Sequence, residues 1–393
     1  MSISAIVNKP TALVTINYPQ GFAPSTGFGW GGNARGQIGD ASTTQRVFPV
    51  TTGHIFTRMD GGWRSSIGLK ADGTIWCWGH NGQNQLGDGT TTLQNAPQKI
   101  PDSGPFVNSG FSDVMHGGFF AAAVKTNGEV WAWGNNQYGN LGDGTTTNRS
   151  TPVLVSTAQL FVEISGGTDT DGGGGGGGML ARTSAGAVFA WGASTHGHNG
   201  TAGASSVPVA VVGAPTAAKI ESNGATAYAI DGSGNLYSWG LNDQGQVART
   251  GAPTTNTTPT LVSAVSGVTT WLDVSAGWRC VSAIGNTNFG YGSGFNSNGQ
   301  LGTADILNKS ILTLMAGGNS FSSIKQSHYN DGASYHAHGI TSAGVVWSWG
   351  SDSSNELGDD APGADKSTPV TVNSGEIFYG ISRAGNHQLA RKL

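Results

Sequence analysis

The sequence is poor in charge. Lys, Arg, Asp and Glu make up 11% of its 393 residues, against about 25% in an ordinary soluble domain. Its polar surface must therefore come from Ser, Thr, Asn, Gln and backbone. Cysteine is scarce too. Cys77 and Cys280 are too few for a disulfide framework and are expected as buried free thiols. No run approaches the ~18 apolar residues of a membrane span. Met1–Gln20 carries Lys9 and Pro10 in its middle and no apolar h-region, so no classical secretory signal is read there. Lys and Arg number 19 against 23 acids, and the small basic cluster at Arg383–Lys392 is no polybasic arm. That argues against a nucleic-acid partner. The short motifs of catalysis are missing as well: no Gly-X-Ser-X-Gly, no His-Glu-X-X-His, no Cys-X-X-Cys, and no defensible acid/base pair of carboxylates. No enzyme, metal or cofactor is read from this chain.

Glycine is plentiful, with 65 residues, and 12 Trp accompany it at a net charge of −4. Disordered chains have few aromatics and high net charge, so this one is expected to fold. Glycine with abundant Thr and Val suits many short strands joined by tight turns.

An internal repeat decides the architecture. Trp-Gly, then Asn two residues on, then a Gly-Gln-Leu-Gly element recurs at Trp30, Trp78, Trp133, Trp191, Trp239, Ser293 and Trp349. The copies lie 48 to 58 residues apart. The second element drifts from Gly36-Gln37-Ile38-Gly39 to Gly299-Gln300-Leu301-Gly302, and is degenerate at Gly197-His198-Asn199-Gly200. Before most Trp-Gly pairs come a Gly pair, a small-residue strand and Asp-Gly or Asn-Gly, as in Asp72-Gly73 and Asn127-Gly128. Both are strong hairpin signals. The aromatic two residues ahead shares a strand face with the Trp. Trp76/Trp78, Trp131/Trp133, Phe189/Trp191, Tyr237/Trp239 and Trp347/Trp349 are thus expected as paired inter-blade packing residues.

The pattern resembles the regulator-of-chromosome-condensation repeat family over about residues 27–393, with Ser293 in place of Trp in the sixth copy. The resemblance implies an all-β fold, a single seven-bladed β-propeller. Ile377–Leu389 looks like the first half of a repeat, and the copy at Trp30 lacks one. N- and C-terminal strands are therefore expected to close one blade, leaving no open edge. Residues 1–26 lie outside the repeats as an arm or extra strand.

Gly172–Gly178 is read as a loop on the fourth blade. His196/His198 and His336/His338 have a spacing that puts two imidazoles on one strand face, but without a third ligand they are read as surface histidines. Gly62-Trp63-Arg64 and Gly277-Trp278-Arg279 hold the same place in two blades. Phe119 and Phe120 match them in a third, and His387 in the closing blade. Trp63, Arg64, Phe119, Phe120, Trp278, Arg279 and His387 form the candidate binding face, since Trp and Arg are enriched in hot spots; the alternative is that the Trp fills a gap between blades. Similar Gly-Trp-Arg motifs mark the dimer face of a photoreceptor in the family, which has more of them.

The composition favours a non-catalytic binding or structural propeller, a phage virion component of tail or appendage. It would assemble with virion proteins through residues 1–26, or touch a host-surface receptor, and would sit in the virion or outside the cell. The alternative is a secreted or intracellular protein-binding regulator or enzyme inhibitor of the same family. An oligomer is compatible with either.

Overall fold

The structure, a computed structural model, describes residues 24–168, 177–200, 203–327 and 335–392. The described residues contain no helix. They form seven four-stranded antiparallel sheets, one per repeat, as the repeat resemblance implies. Blade 1 joins the two ends of the chain. Its strands, from outside inward, are Arg46–Phe56, Ser25–Gly31, His387–Lys392 and Phe378–Ile381. Gly29 pairs with Leu389, and Trp30 with Gln388. The end of the chain thus supplies the two inner strands and its beginning the two outer ones. Blades 2 to 7 follow in order at residues 58–99, 111–154, 163–210, 217–261, 271–314 and 323–371. In each, the first strand lies at the centre and the last at the rim. Of the expected arm, residues up to 23 lie outside the described residues, and Ser25 already pairs with Phe56.

The outermost strands would expose unpaired backbone groups to another chain. Pro49, Pro97, Pro152, Pro208, Pro259 and Pro369 all lie in these strands. Proline offers no N–H and belongs on edges. In the same sheets the register shifts beside the Trp-Gly glycine, as between Cys77 and Gly79, so each rim is also bulged.

The second Trp of each pair is the interlock. Trp30, Trp78, Trp133, Trp191, Trp239 and Trp349 are fully buried. Each indole N–H donates to a backbone carbonyl of the preceding blade: Trp78 to Gln37 at 2.9 Å, Trp133 to Gln85 at 3.0 Å, Trp191 to Asn140 at 3.0 Å. Trp239 does so to His198 at 2.6 Å, Trp349 to Gln300 at 3.0 Å, and Trp30 to Glu356 at 2.8 Å. The acceptors occupy one position of the Gly-Gln-Leu-Gly element. The first aromatic is buried in one pair, at Trp131, and does less than expected in the other four. Trp76, Phe189, Tyr237 and Trp347 are only half-buried.

The glycine ending the element lies against the next blade's Trp. At Gly39 (φ 83°), Gly87 and Gly142, a Cβ would come within 2.6–2.7 Å of the neighbouring indole. Between blades 5 and 6 both partners change together. The sixth Trp is Ser293, and the glycine is Ala248, which holds the left-handed φ of 55° that favours glycine. Tyr228 of blade 5 fills the space. It is fully buried, its hydroxyl donates to Gln246 O at 2.7 Å, and its ring packs among Ala248, Val281 and Ala283. The missing Trp is thus no gap.

Cys77 and Cys280 are free and buried; burial pushes the Cys280 thiol up to about 12, which makes it inert near neutral pH. His198, His336 and His338 are also buried, not surface residues. His338 faces the Trp30 ring edge-on at 5.5 Å and contacts Glu356 O at 3.0 Å. Of the glycine run, residues 172–176 lie outside the described residues. Gly177 and Gly178 are not loop but strand, pairing with Thr168 and Gly167, and a Cβ on Gly178 would overlap the His198 ring.

Tyr228→Ala should cost about 3–5 kcal/mol, the range for emptying a buried aromatic site, and Tyr228→Phe about 1 kcal/mol for the lost hydrogen bond. Denaturant titration measures both. Equal, small losses would show that the ring does not carry the blade 5–6 contact.

Candidate functional site

The turn between the first two strands of blade 2 is Gly62-Trp63-Arg64, tied by Gly62 N–H to Ser65 O at 2.7 Å. Trp63 is half-buried. Its ring meets Phe119 of blade 3 edge-on at 5.2 Å and His80 at 5.9 Å. The Arg64 guanidinium lies over it at 4.3 Å. The same turn in blade 6 holds Trp278, stacked on Tyr335 at 4.8 Å and edge-on to Phe295 at 5.4 Å. Arg279 covers that ring at 4.7 Å and pairs with Asp243 at 2.7 Å. Each Trp therefore bridges to the following blade and keeps part of its ring exposed. The packing reading holds, and the part of each ring left uncovered is what a partner could reach.

Two residues of the expected face do not belong to it. Phe120 and His387 are fully buried. Each is one step too far along an inward-pointing strand, and His387 spends its Nε2 on Ser66 Oγ at 2.9 Å.

The two corners differ in charge. Arg279 has its carboxylate. Arg64 and Arg35 form no ion pair among the described residues. His80 lies between them, and burial, then Arg35 and Arg64, hold its imidazole below the usual histidine range. The blade 2 corner is thus cationic and aromatic, with Arg35 exposed.

The opposite face carries charge of another kind. The first strands carry Arg58, Asp113, Glu163, Lys219, Asp273 and Ser323 at equivalent positions, and of these Arg58, Glu163, Lys219 and Ser323 line a central cavity of about 590 Å³. Trp63 and Trp278 follow the far ends of these strands, so corners and mouth lie on opposite faces. Two residues further in, Asp60, Glu221 and Lys325 form a second tier. Arg58 pairs with Asp113 at 2.7 Å, Lys219 with Asp273, and Arg182 with Glu163 at 2.7 Å. Arg383 crosses the channel from blade 1. It bonds Glu221 of blade 5 at 2.9 Å, Ser222 O at 3.0 Å and Asp60 of blade 2 at 3.3 Å. Burial pushes Asp113 up to about 6, against the pull of Arg58. Sequence reasoning missed this tier. Its signal was available: in a chain short of charge, a charged residue opens most first strands at the same place in the repeat.

Buried Ser–His pairs occur at Ser65–His116, 3.0 Å, and Ser66–His387. Neither is set up as a nucleophile–base pair: Ser66 Oγ donates its proton to Gln37 O at 2.8 Å and so accepts from His387. His116 Nδ1 accepts from Gly118 N–H at 3.2 Å, so a neutral ring carries its proton on Nε2 and donates to Ser65.

The regulator of chromosome condensation (RCC1) repeat profile matches residues 72–124, 127–170 and 233–284, and a second profile of that description matches 56–85. The mitochondrial RCC1 domain-containing protein RUG3 of Arabidopsis thaliana is 25% identical over 387 residues, covering 88% of this chain and 82% of that protein. The ultraviolet-B receptor UVR8 of the same plant is 26% identical over 179 residues, 44% of this chain but only 38% of the receptor. Prp20p of Saccharomyces cerevisiae, solved in a study of its binding to Gsp1p and histones, superposes with a TM-score of 0.78 at 20% identity over 94% of this chain and 92% of its own. Yeast Prp20 bound to Kap60 gives 0.80 at 18% identity, covering 100% and 97%.

Asp113 binds its proton near pH 6 when folded and near pH 4 when unfolded, so stability falls as pH rises between the two. Asp113→Asn escapes that loss. Its unfolding free energy should converge on that of the parent below about pH 3 and exceed it by up to about 3 kcal/mol above pH 7. A pH-independent difference would assign an ordinary carboxyl to Asp113.

Proposed function

We propose that this chain, which carries RCC1 repeats closed into a seven-bladed propeller, is a non-catalytic protein-binding module of the regulator kind. Its partner docks on the face carrying Trp63 and Arg64. One observation bears most of the weight. Arg64 lies over a half-exposed Trp63, beside Arg35 and His80, and no carboxylate among the described residues pairs with it. An arginine on an aromatic face is pre-organised for a carboxylate, and Trp and Arg dominate binding hot spots. The partner is accordingly a protein that presents an acidic side chain and an apolar one side by side. The blade 6 corner, neutralised by Asp243, serves as supporting contact surface.

The architecture supports a binder. The yeast propeller of matching fold is described with Gsp1p, histones and Kap60, all protein partners. A virion role rests on composition alone and gains nothing from these likenesses, so the protein-binding regulator is the preferred reading.

Affinity capture with the full chain should retain a partner that Trp63→Ala loses; with purified components the dissociation constant should rise about 30-fold or more. Arg64→Glu should weaken it further and flatten its salt dependence. A partner that binds both variants like the parent would remove this face from the interaction.

A further inference from the structure

We propose that the central cavity on the opposite face is a binding site for a small hydroxylated monocarboxylate, held by the Lys325 ammonium. This goes beyond the protein-docking reading and does not depend on it. The cavity, about 590 Å³, falls within the ~300–1,000 Å³ of small-molecule sites. It is a cup rather than a tunnel. Arg383 spans it, bonded to blades 2 and 5, and His116, Ser222 and Gln326, further along the same strands, do not line it.

The charge arrangement selects the ligand. Each carboxylate of the wall already has a cation within bonding distance. Lys325 has none: among the described residues its ammonium bonds no carboxylate, though it lines the cavity. Asp273 and Glu221 stand near it and favour its charge, while Lys219 and Arg383 stand near it and oppose it. Lys325 is only part-buried, and a part-buried ammonium with no bonded carboxylate gains from one negative charge supplied from outside. A second negative charge on the ligand would face Glu163, Glu221 and Asp60, which line the cavity, and like charges repel. A single carboxylate matches. The walls are polar at the mouth, where Thr341, Ser342 and Tyr379 line the cavity; hydroxyl groups on the ligand would meet those of the protein.

Isothermal titration of the full chain with gluconate, glucuronate and quinate tests this, with neutral glucose and dianionic glucarate as controls. At least one monocarboxylate should bind with one-to-one stoichiometry, more tightly than either control. Lys325→Gln should weaken it about tenfold or more, the usual loss for a hydrogen bond to a charged group, and Lys325→Arg should restore most of it. Trp63→Ala, at the other face, should bind like the parent, which separates failure here from failure of the docking site. No binding by any of the three acids, equal binding of glucose, or equal binding by a folded Lys325→Gln chain overturns the proposal. Should Lys325→Gln not fold, equal binding of glucarate and gluconate to the parent is the overturning result.

Discussion

The ring depends on a hydrogen bond repeated around it, from a buried indole N–H to a carbonyl of the blade before. A sheet of four strands cannot bury both its faces alone. Stacked radially, each hides one face behind its neighbour, and a flat apolar contact would let them slide. The indole removes that freedom. It contributes a large apolar area and one polar atom that must find its acceptor or bear a desolvation cost of about 1–3 kcal/mol. Only one register satisfies both. The glycine beneath the ring is the corollary, since the close approach leaves no room for a Cβ.

Charge follows the opposite economy. The chain has few ionisable groups and concentrates several in its middle, where desolvation is expensive. Buried ion pairs contribute little net stability. Their geometry is nonetheless unforgiving, because Arg383 must satisfy partners on blades 2 and 5 at once. The last inner strand can then sit in one position only. The arginine brought by the end of the chain thus reports correct closure, as the backbone pairing of Trp30 with Gln388 does at the seam.

Architecture was legible because it is written in local, repeated signals: Trp-Gly, Asp-Gly turns, and half-motifs at the two ends. Trp63 and Trp278 were legible for the same reason, as equivalent positions in two copies. Phe120 and His387 were misplaced because a turn and the strand after it differ by one residue, which no spacing argument resolves. Buried histidines such as His338 were taken for surface ones because their surroundings, here the Trp30 ring and Glu356 O, come from other parts of the chain. The cavity charges escaped notice because each is ordinary in its own repeat. They acquire meaning only when first strands from all blades converge.

The replacement of the usual Trp and Gly by Ser293 and Ala248, with Tyr228 filling the space, has a consequence for how such a ring changes over time. The three lie on two neighbouring repeats yet form one contact. A duplicated or shuffled repeat carries half of two contacts and completes neither. A blade transplanted from this chain into another position would bring Ala248 under an indole, or Ser293 beside an empty space. Inheritance by whole repeats therefore works only while all copies stay alike. Once one boundary has diverged, the heritable module is the boundary itself, running from the core of one blade to the core of the next.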